Sequence, residues 1–124
     1  MQVHPDERTA PLCHAEAKTE MWYVLRSTRN AGVYCGLKAG VTKSSFKAAL
    51  KTGTTDRLLR KSPVKQGDTI FVPGGRVHAI GEGCLLLEVQ QNSNTTYRVY
   101  DWNRADKNGK PRELHIENAL RVIN

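Results

Sequence analysis

The strongest constraint on this chain is its punctuation: glycine and proline recur between short runs rich in β-branched and aromatic residues. Residues 20–26 read EMWYVLR and residues 32–38 read GVYCGLK, and both compositions predict strands. Beyond Pro63 the same texture returns. Residues 68–73 and 77–80 flank a Pro-Gly-Gly turn, residues 84–91 form an apolar run, and residues 97–102 alternate. One stretch has a different period. In residues 42–51, TKSSFKAALK, Phe46, Ala49 and Leu50 form a helical stripe, with Thr42 as its cap and Gly53 as its stop. A second short helical turn is expected over residues 55–60. Residues 106–111, DKNGKP, read as a turn, and residues 115–124 fit a short helix or an extended strand. Residues 1–18 are poor in strand signals. Six or seven short strands with one helical insert predict an all-β barrel or sandwich.

Length and composition narrow the class. A chain of 124 residues suits one domain, and 39% hydrophobic with 25% charged residues is ordinary for a soluble fold. No apolar run approaches the roughly 20 residues that span a membrane. The first residues are polar, without the pattern of a signal peptide, so a cytoplasmic location is expected. Cys13, Cys35 and Cys84 are widely spaced and odd in number, which reads as free thiols, buried in the case of Cys35 and Cys84. Lys plus Arg number 19 against 12 Asp plus Glu, a net +7 that favours anionic partners such as phosphorylated small molecules. Nucleic acid is disfavoured, because no helix-turn-helix pattern or aromatic RNA-binding strand occurs. The basic residues crowd between positions 43 and 65, as a solvated helical face would.

Four residues attract attention as metal donors. Gln2 and His4 are two apart and share a face if extended, as do Lys18 and Glu20; His78 follows the Pro-Gly-Gly turn. Two imidazoles, a carboxylate and an amide oxygen suit Zn²⁺, and also Mn²⁺, Fe²⁺, Co²⁺ or Ni²⁺. Taken singly each residue is a weak signal, since a lone His, Gln or Glu is usually structural or solvated.

The surrounding motifs are more specific. Gly67, Pro73, Gly75 and His78 follow the second cupin motif, G-x5-P-x-G-x2-H, without a gap, with Glu82 in place of its final Asn. Gln2-x-His4 and Glu20 resemble the first motif with Gln for the first His, a substitution characteristic of type I phosphomannose isomerases. VHPDE, KTEMWYVL, GLKAGVTKSSFKAAL, VPGGRVHAIG, EVQQNSNTTYRVYDWNR and GKPRELHIENAL resemble, in order, the central domain of the short bacterial members.

The resemblance implies a cupin double-stranded β-helix, a jelly-roll barrel with a helical insert around residues 42–60. It implies one divalent metal, most commonly zinc, on Gln2, His4, Glu20 and His78. It also implies interconversion of mannose 6-phosphate and fructose 6-phosphate through an enediol, with Arg98, Lys18 and Glu88 as catalytic residues. Plain structural roles stand beside these: Arg98 paired with Asp101, and Lys18 as solvated surface. Two departures matter. Family members are longer, so residues 1–124 would be a single cupin domain lacking N-terminal strands and a C-terminal β domain. Asn94 stands where the family carries Asp, and an amide cannot act as a general base, a function worth roughly 10²- to 10⁴-fold in rate. The alternative reading is therefore a non-catalytic cupin fragment that binds metal and sugar phosphate. Exposed strand edges would favour a homodimer. His14 is expected in an exposed loop and His115 in a packing role.

Overall fold

The computed structural model describes residues 1–102, 104–105 and 107–124. The elements run β1 (Gln2–Val3), β2 (Glu20–Ser27), β3 (Gly32–Leu37), α1 (Lys43–Thr52), β4 (Leu59–Pro63), β5 (Thr69–Val72), β6 (His78–Ile80), β7 (Cys84–Gln90), β8 (Tyr97–Arg98) and α2 (Ile116–Val122). Single 3-10 turns occur at Ala10–Cys13 and Thr55–Leu58. The strands form two antiparallel sheets, β4-β3-β6-β1-β8 and β5-β2-β7. This is the small all-β, cupin-like architecture expected, with its helical insert in place.

Local chemistry explains the insert. Thr42 and Ser45 form a reciprocal capping box, each side chain accepting from the other's backbone N–H, and so satisfy two donors that a helix start leaves open. Gly53 ends α1 in the left-handed region at φ 66°, where a side chain would be strained. The helical turn that follows is shorter than the sequence suggested. It stops at Leu58, and β4 begins at Leu59, because Leu59 pairs across to Leu37 and fills the core at 1% exposure.

Other boundaries moved for similar reasons. The alternating run at 97–102 is strand only at Tyr97–Arg98, beside β1. The C-terminal segment is a helix, with Ala119 and Val122 buried. Gln2–Val3 forms a strand despite weak local signals, since it is held between β6 and β8. Lys107–Gly109 form the expected turn, closed by a bridge between Ala105 and Pro111; Asp106 lies outside the described residues. Cys35 and Cys84 are half-buried free thiols rather than fully buried ones.

The period of two along each strand sorts side chains into two layers. Val3, Leu59, Ala79 and Tyr97 face α1 and α2, where they pack with Phe46, Ala119 and Val122. The opposite face of the five-stranded sheet meets the three-stranded sheet, and Val33 and Cys35 pack there with Trp22, Ile70 and Val72. Among the described residues, no helix is long and apolar enough to cross a membrane.

Candidate metal centre

The inner layer gathers the polar residues. Cys35, His78, Gln2 and Arg98 stand in one cross-strand row: Cys35 is opposite His78, and Gln2 is opposite both His78 and Arg98. Directly opposed residues share a sheet face. His4, two residues after Gln2, reaches the same space. From the facing sheet, the alternation of β2 turns Glu20 and Trp22 inward. His4, Glu20 and His78 are each 1% exposed, and each offers one donor atom within 4.8 Å of the others.

The Pro-Gly-Gly turn explains how two distant segments converge. The N–H of Gly75, at φ 82°, donates to the His4 carbonyl at 2.7 Å. A Cβ on Gly74 would lie 2.6 Å from the Pro5 carbonyl oxygen, closer than any side chain tolerates. The turn before His78 is therefore pressed against the backbone that carries His4, and glycine permits it.

The hydrogen bonds set the ring tautomers. His4 Nδ1 lies 2.8 Å from the Thr95 carbonyl and His78 Nδ1 lies 2.8 Å from the Arg76 carbonyl. A carbonyl can only accept, so both Nδ1 atoms carry hydrogen and both Nε2 atoms present lone pairs inward. His4 Nε2 is 2.8 Å from Glu20 Oε1, yet it is buried without a hydrogen-bond partner. These two facts agree once the atoms are recognised as two acceptors. Such a contact is stable with a positive charge between them, either a second proton on the ring or a cation. His78 Nε2 faces Glu20 Oε2 at 3.5 Å and the Gln2 amide at 3.3 Å. Rotating that amide by half a turn would direct its oxygen to the same point. The donor set and its orphaned nitrogen fit a metal ion.

Electrostatics agree. Burial pushes His78 down to about 4, so the ring is neutral, the form that ligates metal. Burial would raise the Glu20 carboxyl, but the contact with His4 and the electrostatic pull of the surrounding His78, His4 and Lys18 outweigh it and hold Glu20 below its usual value. Lys18 is buried at 6% exposure, not solvated. Its Nζ lies 3.9 Å from Glu20 Oε1 and donates to Thr96 Oγ1 at 3.3 Å.

Glu88 is exposed at the rim, opposite Trp22 in register. The Trp22 indole N–H donates to Glu88 Oε2 at 2.8 Å and lies 3.2 Å from Glu20 Oε2, so it ties the two carboxylates together. Its ring meets His78 edge-on at 5.4 Å. Sequence reading did not single out Trp22, although its place two residues after Glu20 on a strand was the available signal. Arg98 lies in the inner row, but its guanidinium donates to the Glu113 carbonyl at 3.1 Å. Asp101 pairs with Arg112 instead of Arg98. His115 is half-buried and accepts from the Arg98 N–H at 3.2 Å, a packing role; His14 is exposed. Asn94 is exposed on the loop that brings the Thr95 carbonyl to His4.

No protein-family model matches the chain. Curated relatives do. Mannose-6-phosphate isomerase ManA of Bacillus subtilis is 45% identical over 99% of this chain, as is the mannose-6-phosphate isomerase of Streptococcus mutans. The crystal structure of the mannose 6-phosphate isomerase from Bacillus subtilis superposes with a TM-score of 0.89 at 41% identity, again over 99% of this chain. The chain spans 39% of the length of those two relatives and 40% of the solved structure. In sequence and in fold, along 99% of its own length, this chain is a relative of the mannose-6-phosphate isomerases.

Proposed function

We propose that the chain carries the metal centre of an aldose–ketose isomerase that interconverts mannose 6-phosphate and fructose 6-phosphate. In this reading residues 1–124 are one cupin domain, equivalent to the metal-bearing part of longer isomerases. The observation that carries it is the buried contact between the His4 lone pair and the Glu20 carboxylate, with His78 completing the set. Gln2, His4, Glu20 and His78 would hold one divalent ion; their mixed nitrogen and oxygen donors suit Zn²⁺, the metal that the family resemblance implies. When bound, such an ion would supply positive charge that stabilises the sugar oxygens as they become anionic.

The remaining work falls to side chains. Isomerisation moves a proton between C1 and C2, which requires a group able to take and return it. Lys18 and Glu88 are the titratable groups beside Glu20 and Trp22 that fit this role. Arg98 is permanently charged and can bind a phosphate through two parallel hydrogen bonds. Trp22, fully buried, holds Glu20 and Glu88 through its indole N–H and packs edge-on against His78.

Asn94 favours a second reading, a non-catalytic cupin that binds metal and sugar phosphate. An assay of mannose 6-phosphate conversion on metal-analysed protein separates the two. Asn94→Asp is expected to raise turnover by roughly 10²-fold or more, and Arg98→Ala to abolish it, both with metal content unchanged. If neither parent nor Asn94→Asp turns over substrate with metal bound, the isomerase reading fails for this chain and the binding reading stands.

A further inference from the structure

The loop over residues 91–96 belongs to no strand, yet it carries the carbonyl that orients His4. A strand fixes its carbonyls through the ladder, whereas a loop depends on side chains, turns and water. β7 ends at Gln90 and β8 begins at Tyr97. The Gln91 N–H donates to the Thr19 carbonyl at 3.0 Å, and the Ser93 N–H to the Gln91 carbonyl at 2.8 Å. These bonds secure the start of the loop and leave Thr95, at its far end, to be held by other means.

A buried hydroxyl holds it. Ser93 is only 4% exposed, although Asn92 and Asn94 on either side are exposed. Its Oγ accepts from the Thr95 N–H at 3.1 Å and donates to the Glu16 carbonyl at 3.3 Å. A hydroxyl has one hydrogen and two lone pairs, so both bonds form together. Thr95 returns the tie, because its Oγ1 accepts from the Glu16 N–H at 3.4 Å. Both backbone groups of Glu16 are thereby engaged by the loop.

Each side of this clasp leads into the metal centre. Two residues beyond Glu16 stands Lys18, whose Nζ donates to Thr96 Oγ1 at 3.3 Å and lies 3.9 Å from Glu20 Oε1. On the other side the Thr95 carbonyl accepts the Nδ1 hydrogen of His4 at 2.8 Å. With its N–H and its Oγ1 both held, Thr95 has little freedom to swing that carbonyl away.

We infer that Ser93 is a positioning residue for the metal centre proposed above, and its consequence for metal binding rests on that reading. Ser93 acts through Thr95. The hydroxyl pins Thr95, the Thr95 carbonyl holds the His4 ring by its Nδ1–H, and the ring then presents its Nε2 lone pair beside Glu20. Partners of this kind fix the tautomer and the angle of a ligating imidazole.

Zinc titration and hydrogen exchange on isotope-labelled protein test the assignment. Ser93→Ala should weaken Zn²⁺ binding about 10-fold, the lower end of what losing a supporting partner does to a metal site. Exchange of the His4 Nδ1 hydrogen with water should quicken about 10-fold, the contribution of one hydrogen bond. The backbone amides of Phe46 and Val122, in the helix-side core, should keep the parent rate. Ser93→Thr retains the hydroxyl and should restore both readouts. Asn92→Ala, at an exposed position of the same loop, should change neither. Thr95→Val cuts only the tie to the Glu16 N–H and should act in the same direction by a smaller factor, which keeps the clasp testable should Ser93→Ala not fold. Parent affinity and parent exchange at His4 in a folded Ser93→Ala, or in Thr95→Val if alanine does not fold, overturn the assignment. So does an equal loss in Ser93→Thr, or a quickening spread evenly over His4, Phe46 and Val122. A parent that takes up no zinc defeats the metal reading instead, and exchange at His4 in the metal-free protein then decides the role of Ser93 by the same criteria.

Discussion

The layer under the helices and the layer between the sheets share strands yet hold opposite chemistry. β1 sends Val3 to the first and Gln2 to the second; β6 sends Ala79 to the first and His78 to the second; β8 divides Tyr97 and Arg98 in the same way. The helix-side layer is a dense apolar core in which Val3, Phe46, Leu59, Val99 and Val122 are at most 1% exposed. The inner layer packs Trp22, Val33 and Val72 beside four buried titratable groups, His4, Lys18, Glu20 and His78. Buried polar groups cost free energy unless each finds a partner, so this arrangement needs a stable neighbouring core. The helix-side layer supplies that stability, and the inner layer is free to hold acceptors against each other.

The largest effect that tests this division is metal loss. His4→Ala or His78→Ala should lower metal affinity at least about 100-fold, beyond what removing a supporting partner does, and metal analysis should fall from near one equivalent toward none. Thermal unfolding of the metal-free proteins should change little by comparison. Full metal retention in both variants would remove the functional half of the contrast. The complementary change is Phe46→Ala, which opens a cavity in the helix-side layer at a cost of about 3–5 kcal/mol, read by urea unfolding. Metal content of its folded fraction should be unaffected; coupled loss would mean that the layers are one unit.

A smaller effect concerns pH at the rim of the helix-side layer. The Arg112 side chain holds the Asp101 carboxyl below its usual value. A depressed carboxyl adds stability that is present above its unfolded pKa and is lost as pH falls through the folded one. Unfolding curves from neutral to acid pH should therefore lose less stability in Asp101→Asn than in the parent. An unchanged acid limb would assign that loss to other groups, the inner carboxylate first. The smallest effect is at the insert: Thr42→Ala removes half of the capping box and should cost about 1 kcal/mol with no change at the metal centre.

Much of this was legible in sequence because its causes are local. Strand composition marked β2, β3 and β7, and Thr42 with Gly53 bracketed α1. The Gly-Pro-Gly-His spacing singled out His78 before any partner was known. Features caused by contacts across the fold were harder to read. Nothing near Gln2 marks it as a strand residue; β6 and β8 make it one. Leu59 read as helical because its neighbours do, while its pairing with Leu37 made it a strand residue.

By itself the sequence determined the alternation of apolar and polar positions, the turns, the caps and the kinds of donor available, since each depends on residues within a few positions of one another. The tertiary structure alone decided that the Thr95 carbonyl orients His4, that Trp22 bridges Glu20 and Glu88, and that Lys18 is buried beside a carboxylate. These contacts join residues up to 91 positions apart, and no local preference encodes a distance across two facing sheets.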